Sequence, residues 1–142
     1  MSKVAVVYWS STGNTEAMAE AVCAGAKGAG LDCDLMTITE FSADKMDEYT
    51  SVAFGCPAMG AEELEETEFL PVYEACEAKL TGKRIGLFGS YGWGDGEWMR
   101  TWEDNCKNAG AIMIADAVIC VESPDEDAVE QCKELGAALA LK

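Results

Sequence analysis

Residues 10–15 read Ser-Ser-Thr-Gly-Asn-Thr, short hydroxyl and amide side chains around one glycine, with no Lys or Arg among them. Backbone N–H groups and hydroxyls in such a loop can hold an anion, and a following helix adds about half a positive charge at its N-terminus. Ser10, Ser11, Thr12, Asn14 and Thr15 are the candidate contacts, and Gly13 permits the tight turn. The loop matches neither G-x-x-x-x-G-K-[ST] nor G-x-G-x-x-G. Without the Lys and the metal-binding carboxylate of phosphoryl transfer, the expected ligand is an unreacting monophosphate, the handle of a larger group. A plain N-capping cluster uses the same residue types, so the position of the loop in the fold must separate the two readings.

Two more loops offer flat or apolar surfaces. In "GCPAMGAEELEE" Met59 lies beside Gly60 in a turn, not on a helix face. In "GSYGWGDGEW" Trp93 stands between Gly92 and Gly94. An aromatic so placed suits a planar ligand better than a strand or helix core. Trp98 and Trp102, four residues apart on an expected helix, read as packing residues. A phosphate tether and two apolar loops describe a slot for a planar heteroaromatic cofactor, and FMN fits that combination best.

These loops need a frame that brings them together. Continuous apolar runs predict buried strands at 3–9, 33–38, 51–56, 83–90 and 111–121. Helical patterns cover 14–29, about 68–79 with Pro71 in the first turn, 96–109 and 125–140. Five β-α units in 142 residues predict a single α/β doubly wound domain spanning 1–142, with helices on both faces of a parallel sheet. Ligands of such sheets sit at the carboxyl ends of the strands near a switch in strand order. The loops after strands one, three and four are the three just described.

Composition narrows the chemistry. With 26 acids against 10 bases the formal net charge is −16, which disfavours nucleic acid and anionic membranes. The charge serves solubility or steering toward basic partners, and composition alone does not choose. The absence of His removes Ser-His triads and most metallohydrolase sites. Seven cysteines without a Cys-x-x-Cys pair read as reduced, mostly buried thiols, and no metal site is expected. No apolar run is long enough to span a membrane, and no basic-then-apolar leader opens the chain, so a cytoplasmic protein is expected. A receiver domain would need acids after strand one and an Asp ending strand three; "YWSST" and "FGCPA" supply neither.

Three motifs in order, "YWSSTGNTEAMA", "GCPAMGAEELEE" and "LFGSYGWGDGEWM", resemble the flavodoxins of the short-chain clostridial type, and the resemblance covers essentially the whole chain. It implies the sheet order 2-1-3-4-5 and an electron carrier, not an enzyme, with one noncovalent FMN passing through a stabilised neutral semiquinone at low potential. By motif, Ser10, Thr12, Asn14 and Thr15, with N–H groups from Ser11 through Gly13 to Thr15, match the phosphate site. Trp93 and Met59 match the contacts on the two flavin faces. Gly60 matches the peptide that turns toward flavin N5, and Glu62 the carboxylate on N3. Pro57, Ala58, Ala61, Ser90, Tyr91, Gly92 and Gly94 complete the contacts to the flavin and its ribityl chain. Ser11 stands where relatives commonly have Gly, and Ala61 where they often carry a polar residue.

The resemblance also implies a monomer that meets basic faces of flavodoxin- or ferredoxin-dependent oxidoreductases. Glu62, Glu63, Glu65, Glu66, Glu68, Asp95 and Glu97 are the candidate docking acids; an acid-rich helix N-terminus explains the same residues without a partner. An FMN-dependent NAD(P)H:quinone reductase is the alternative on the same fold.

Overall fold

The run Val4 to Val7 is β-branched or small and has no polar member, so it suits a strand covered on both sides. In the computed structural model, which describes residues 3–10, 13–58, 65–92 and 96–140, it forms β1 (Lys3–Tyr8), buried beyond its first residue. The other strands are β2 (Asp32–Thr37), β3 (Ser51–Gly55), β4 (Arg84–Tyr91), β5 (Ile112–Met113) and β6 (Val118–Val121). All neighbours are parallel in the order β2-β1-β3-β4, and β5 and β6 pair one after the other with the far edge of β4. This is the expected order 2-1-3-4-5. Tyr8 lies opposite Gly55, and Gly55 opposite Phe88, so β1 and β3 end at the same height while β4 runs on beside them to Tyr91.

The fifth strand departs from expectation. Residues 111–121 do not form one continuous strand; the Ile114 N–H still donates to Ile85 O at 3.1 Å, and residues 115–117 then leave the ladder between β5 and β6. Arg84 pairs with Ile112 but Phe88 pairs with Val118, so the edge carries two residues more than β4 opposite it. Ala115 and Asp116 are exposed there, and the Ala117 N–H donates to Glu103 Oε2 at 3.0 Å instead of to the sheet. An edge strand tolerates such an extra pair because nothing lies beyond it.

Among the described residues, four α-helices cover the sheet: α1 (Asn14–Gly28), α2 (Phe69–Glu77), α3 (Glu97–Asn108) and α4 (Glu126–Ala138). The connection from β2 to β3 is helical only as 3₁₀ segments at Ile38–Glu40 and Ala43–Glu48. Pro71 is the third residue of α2, inside the first turn, where a missing N–H costs no hydrogen bond. Alternate strand residues feed two cores. Val4, Val6 and Phe88 pack with Met18, Val22 and Leu135 of α1 and α4. Val7, Phe54 and Leu87 pack with Phe69, Tyr73, Trp98 and Trp102 of α2 and α3 on the other side. Trp98 and Trp102 are 2% and 1% exposed, which makes them packing residues.

Helices α1 and α4 touch backbone to backbone. A Cβ at Gly136 would stand 1.9 Å from the Val22 carbonyl oxygen, and one at Gly25 would stand 2.0 Å from that of Lys133. Ser51, fully buried, donates to Leu139 O at 3.1 Å, while Arg84 Nη2 donates to Ala138 O at 3.3 Å. A cation thus meets the negative end of α4. Gly136→Ala should destabilise the protein by about 1–3 kcal/mol through overpacking. A urea melt checks it, and an unchanged midpoint would contradict the close contact.

Candidate functional site

At the end of β1 the chain turns through Trp9 and Ser10 into α1. The Trp9 N–H donates to Gly55 O at 3.0 Å, extending the ladder one residue past the strand. Ser10 Oγ accepts the Gly13 N–H at 3.1 Å. Gly13, at the N-cap of α1, has φ +93°, a left-handed conformation that strains any side chain. Glycine at the N-cap offers no side chain to the N–H groups of the first turn of α1. Thr15 is 1% exposed, and its hydroxyl lies 3.3 Å from Ser90 Oγ at the end of β4. The phosphate loop is thereby tied to the third loop of the site by a buried contact.

The end of β3 is tied to the same place. Cys56 N–H donates to Phe88 O at 3.2 Å, and Ala58 N–H to Ser90 O at 3.1 Å. The Cys56 carbonyl accepts Trp98 Nε1 at 3.3 Å. Only glycine fits at position 89, since a Cβ there would come within 2.3 Å of that carbonyl oxygen. Tyr91 then packs on Trp98 with ring centroids 5.4 Å apart, and Tyr91 O accepts the Glu122 N–H at 2.8 Å. Ser10, Gly13, Asn14, Thr15, Pro57, Ala58, Ser90, Tyr91 and Gly92 are therefore gathered at one edge of three adjacent strands. Ser11, Thr12, Met59, Gly60, Ala61, Glu62, Trp93 and Gly94 lie outside the described residues.

The acids do not behave as one group. Glu63 and Asp95 also lie outside the described residues. Glu65, expected among the exposed docking acids, is only 5% exposed. Its Oε1 accepts the N–H groups of Glu68 and Phe69 at 2.7 and 2.8 Å, and its Oε2 accepts the Thr67 N–H at 2.9 Å and the Thr67 hydroxyl. It is the cap of α2. Composition hid this role because a capping acid and a surface acid look alike in a Glu-rich run; Thr two residues later and the apolar Phe69-Leu70 pair were the signal. Glu68 is also engaged, accepting the Trp9 indole N–H at 2.8 Å. Trp9, Glu68 and Glu65 thus connect the first loop to α2, a link no spacing in the sequence announces.

The donor set suits a phosphate-bearing cofactor. The first turn of α1, the left-handed Gly13, and Ser10, Asn14 and Thr15 follow one another at this edge without a Lys or Arg in the loop, and Glu16 occupies the first helical turn. An anion held there keeps its charge. Among the described residues no group of His, Cys, Asp and Glu could hold a metal.

Burial by itself would raise the Glu65 carboxyl, but the Thr67 hydroxyl and three backbone N–H groups outweigh it and hold the pKa below the ordinary 4.5. Its stabilisation is complete above that ordinary value and is lost as pH falls through the lowered one. Glu65→Gln should leave a stability deficit that is constant above about pH 5 and shrinks as the solution is acidified below about pH 4. Urea midpoints across pH 3–7 measure it, and a deficit that grows on acidification would contradict the assignment.

The family model described as Flavodoxin matches residues 6–136. The chain is 45% identical over 137 residues to the flavodoxin of Megasphaera elsdenii, covering 96% of this chain and 98% of that one. To the flavodoxin of Clostridium beijerinckii it is 42% identical over 135 residues, with 95% and 97% covered. Its fold superposes on the solution structure of two-electron reduced Megasphaera elsdenii flavodoxin with a TM-score of 0.90, covering 98% and 99% of the two chains. A nearly full-length match at these identities makes this chain a member of the flavodoxin family, an FMN-binding electron carrier and not an enzyme.

Proposed function

We propose that this chain shuttles single electrons at low potential between redox enzymes. FMN supplies the one-electron chemistry when bound, through a stabilised neutral semiquinone. The chain's own residues bind, orient and charge the site. Ser10, Thr12, Asn14 and Thr15, with the N–H groups of residues 11–15, take the phosphate; Met59 and Trp93 cover the two flavin faces. Glu62 accepts from flavin N3. Gly60 supplies the mobile peptide near N5, and Pro57, Ala58, Ala61, Ser90, Tyr91, Gly92 and Gly94 line the remaining edges.

The single observation that carries this reading is the cation-free loop and helix start at the end of β1, level with the end of β3 and tied to β4 through Thr15 and Ser90. A dianionic phosphate there, on a chain of net charge −16, makes each added negative charge on the cofactor costly in Coulomb energy. An electron taken up with a proton escapes that cost, and a second electron without one does not. The two potentials separate as a result. The basic faces of partner oxidoreductases complement the same charge, and all seven cysteines are free thiols, in keeping with a monomeric protein of the reducing cytoplasm. Among the described residues no helix is long and apolar enough to cross a membrane.

The experiment is a redox titration of the FMN-loaded protein followed by its visible spectrum. Two separated one-electron steps with a blue intermediate are expected, and a single two-electron step would refute the assignment. At the turn Met59-Gly60-Ala61-Glu62, Gly60 suits a type II′ turn, while Ala61 in the left-handed region of a type II turn costs roughly 1 kcal/mol. Ala61→Gly should therefore lower the potential of the first electron. Reduction by a basic partner protein should slow as ionic strength rises, whereas rates independent of salt would assign the charge to solubility.

A further inference from the structure

Cys56 and Glu65 meet across the segment that joins β3 to α2. Cys56 is fully buried, and its Sγ accepts the Glu65 N–H at 3.4 Å while its S–H lies 3.5 Å from Pro57 O. Burial pushes the thiol up to about 12, so it stays protonated and keeps both a donor and lone pairs. Each partner of the sulfur is a backbone group at one end of residues 57–64. Glu65 is held on its other side by α2: its carboxylate takes three N–H groups and the Thr67 hydroxyl, and its carbonyl accepts the Leu70 N–H at 2.9 Å. Cys56 is held in turn by Phe88 O and Trp98 Nε1. The thiol therefore links a residue anchored to β4 and α3 with one anchored to the start of α2.

We propose that Cys56 and Glu65 are positioning residues for the cofactor: a thiol–amide–carboxylate clamp that sets both ends of segment 57–64 and so tunes FMN binding and potential without touching FMN. The proposal rests on residues 57–62 forming the flavin loop. The clamp holds ends and not core. Phe69 and Tyr73, at 0% and 2% exposure, anchor α2 by apolar packing that does not involve the sulfur's polar contacts. A side chain at position 56 must be small and must both donate and accept. Serine meets those demands and alanine does not.

The test compares wild-type apoprotein with Cys56→Ala, Cys56→Ser and Glu65→Gln. Three quantities are read: the FMN Kd by quenching of flavin fluorescence, the first potential of the loaded protein, and the urea midpoint of the apoprotein. Cys56→Ala should raise Kd about three- to tenfold, the weight of one neutral hydrogen bond, and shift the first potential. Cys56→Ser should return both to within about twofold of wild type, and Glu65→Gln should weaken binding in the same sense as Cys56→Ala. Wild-type Kd and potential in folded Cys56→Ala, or equal losses in the Ala and Ser variants, overturn the clamp. If Cys56→Ala does not fold, Glu65→Gln decides: weakened FMN binding with a shifted potential supports the clamp, and wild-type values overturn it. Failure of the wild-type apoprotein to bind FMN overturns the flavin-loop reading instead.

Discussion

Where parallel strands stop, the main-chain groups of the last residues lose their ladder partners while still buried, and each must find another. This chain meets that demand at one edge. The Trp9 N–H reaches Gly55 O, the Cys56 carbonyl takes the Trp98 indole, and the Ala58 N–H takes Ser90 O. The two main-chain bonds join one strand end to the next strand and the indole ties β3 to α3, so satisfying the buried backbone also fastens the strand ends to one another. Gly89 is the steric condition for this, since any side chain there would collide with the Cys56 carbonyl.

The same rule, left open at α1, makes the binding site. Helices α1 and α3 open at left-handed glycines, Gly13 and Gly96, with no side-chain cap, whereas Glu65 serves the start of α2 and Asp125 accepts one N–H of α4. On the function proposed above, α1 takes the cofactor's phosphate while α2 and α4 take carboxylates of the chain itself, so structural anions are separated from the cofactor's own. That separation matters electrically. Glu65 balances its charge against the N-terminus of α2, so its field is partly spent locally. The cradle at Gly13 has no cation of its own in the loop, and the strongly acidic chain leaves little to offset the phosphate.

Much of the architecture was legible because it follows from local rules. Unbroken apolar runs gave the parallel strands, and their spacing with helical periods gave a doubly wound sheet. The break in the fifth strand was not legible: "AIMIADAV" has one polar residue, and the Glu103 carboxylate that draws the Ala117 N–H out of the ladder comes from a different element. The α1–α4 contact at Gly25 and Gly136 was equally hidden, since neither glycine has a distinctive neighbour in sequence.

For the site, residue type and order alone determined a phosphate loop without a cation, two apolar loops after strands three and four, and a lopsided charge. These depend on short-range chemistry: hydroxyl and glycine content, a following helix, the absence of Lys. Only the tertiary structure decided which acid is a cap, that Thr15 touches Ser90, and that Cys56 holds Glu65. Those are contacts between groups 4, 75 and 9 residues apart, created by strand register and helix docking. A carboxylate or a thiol acquires its role from what faces it in space, and a linear pattern carries no record of that.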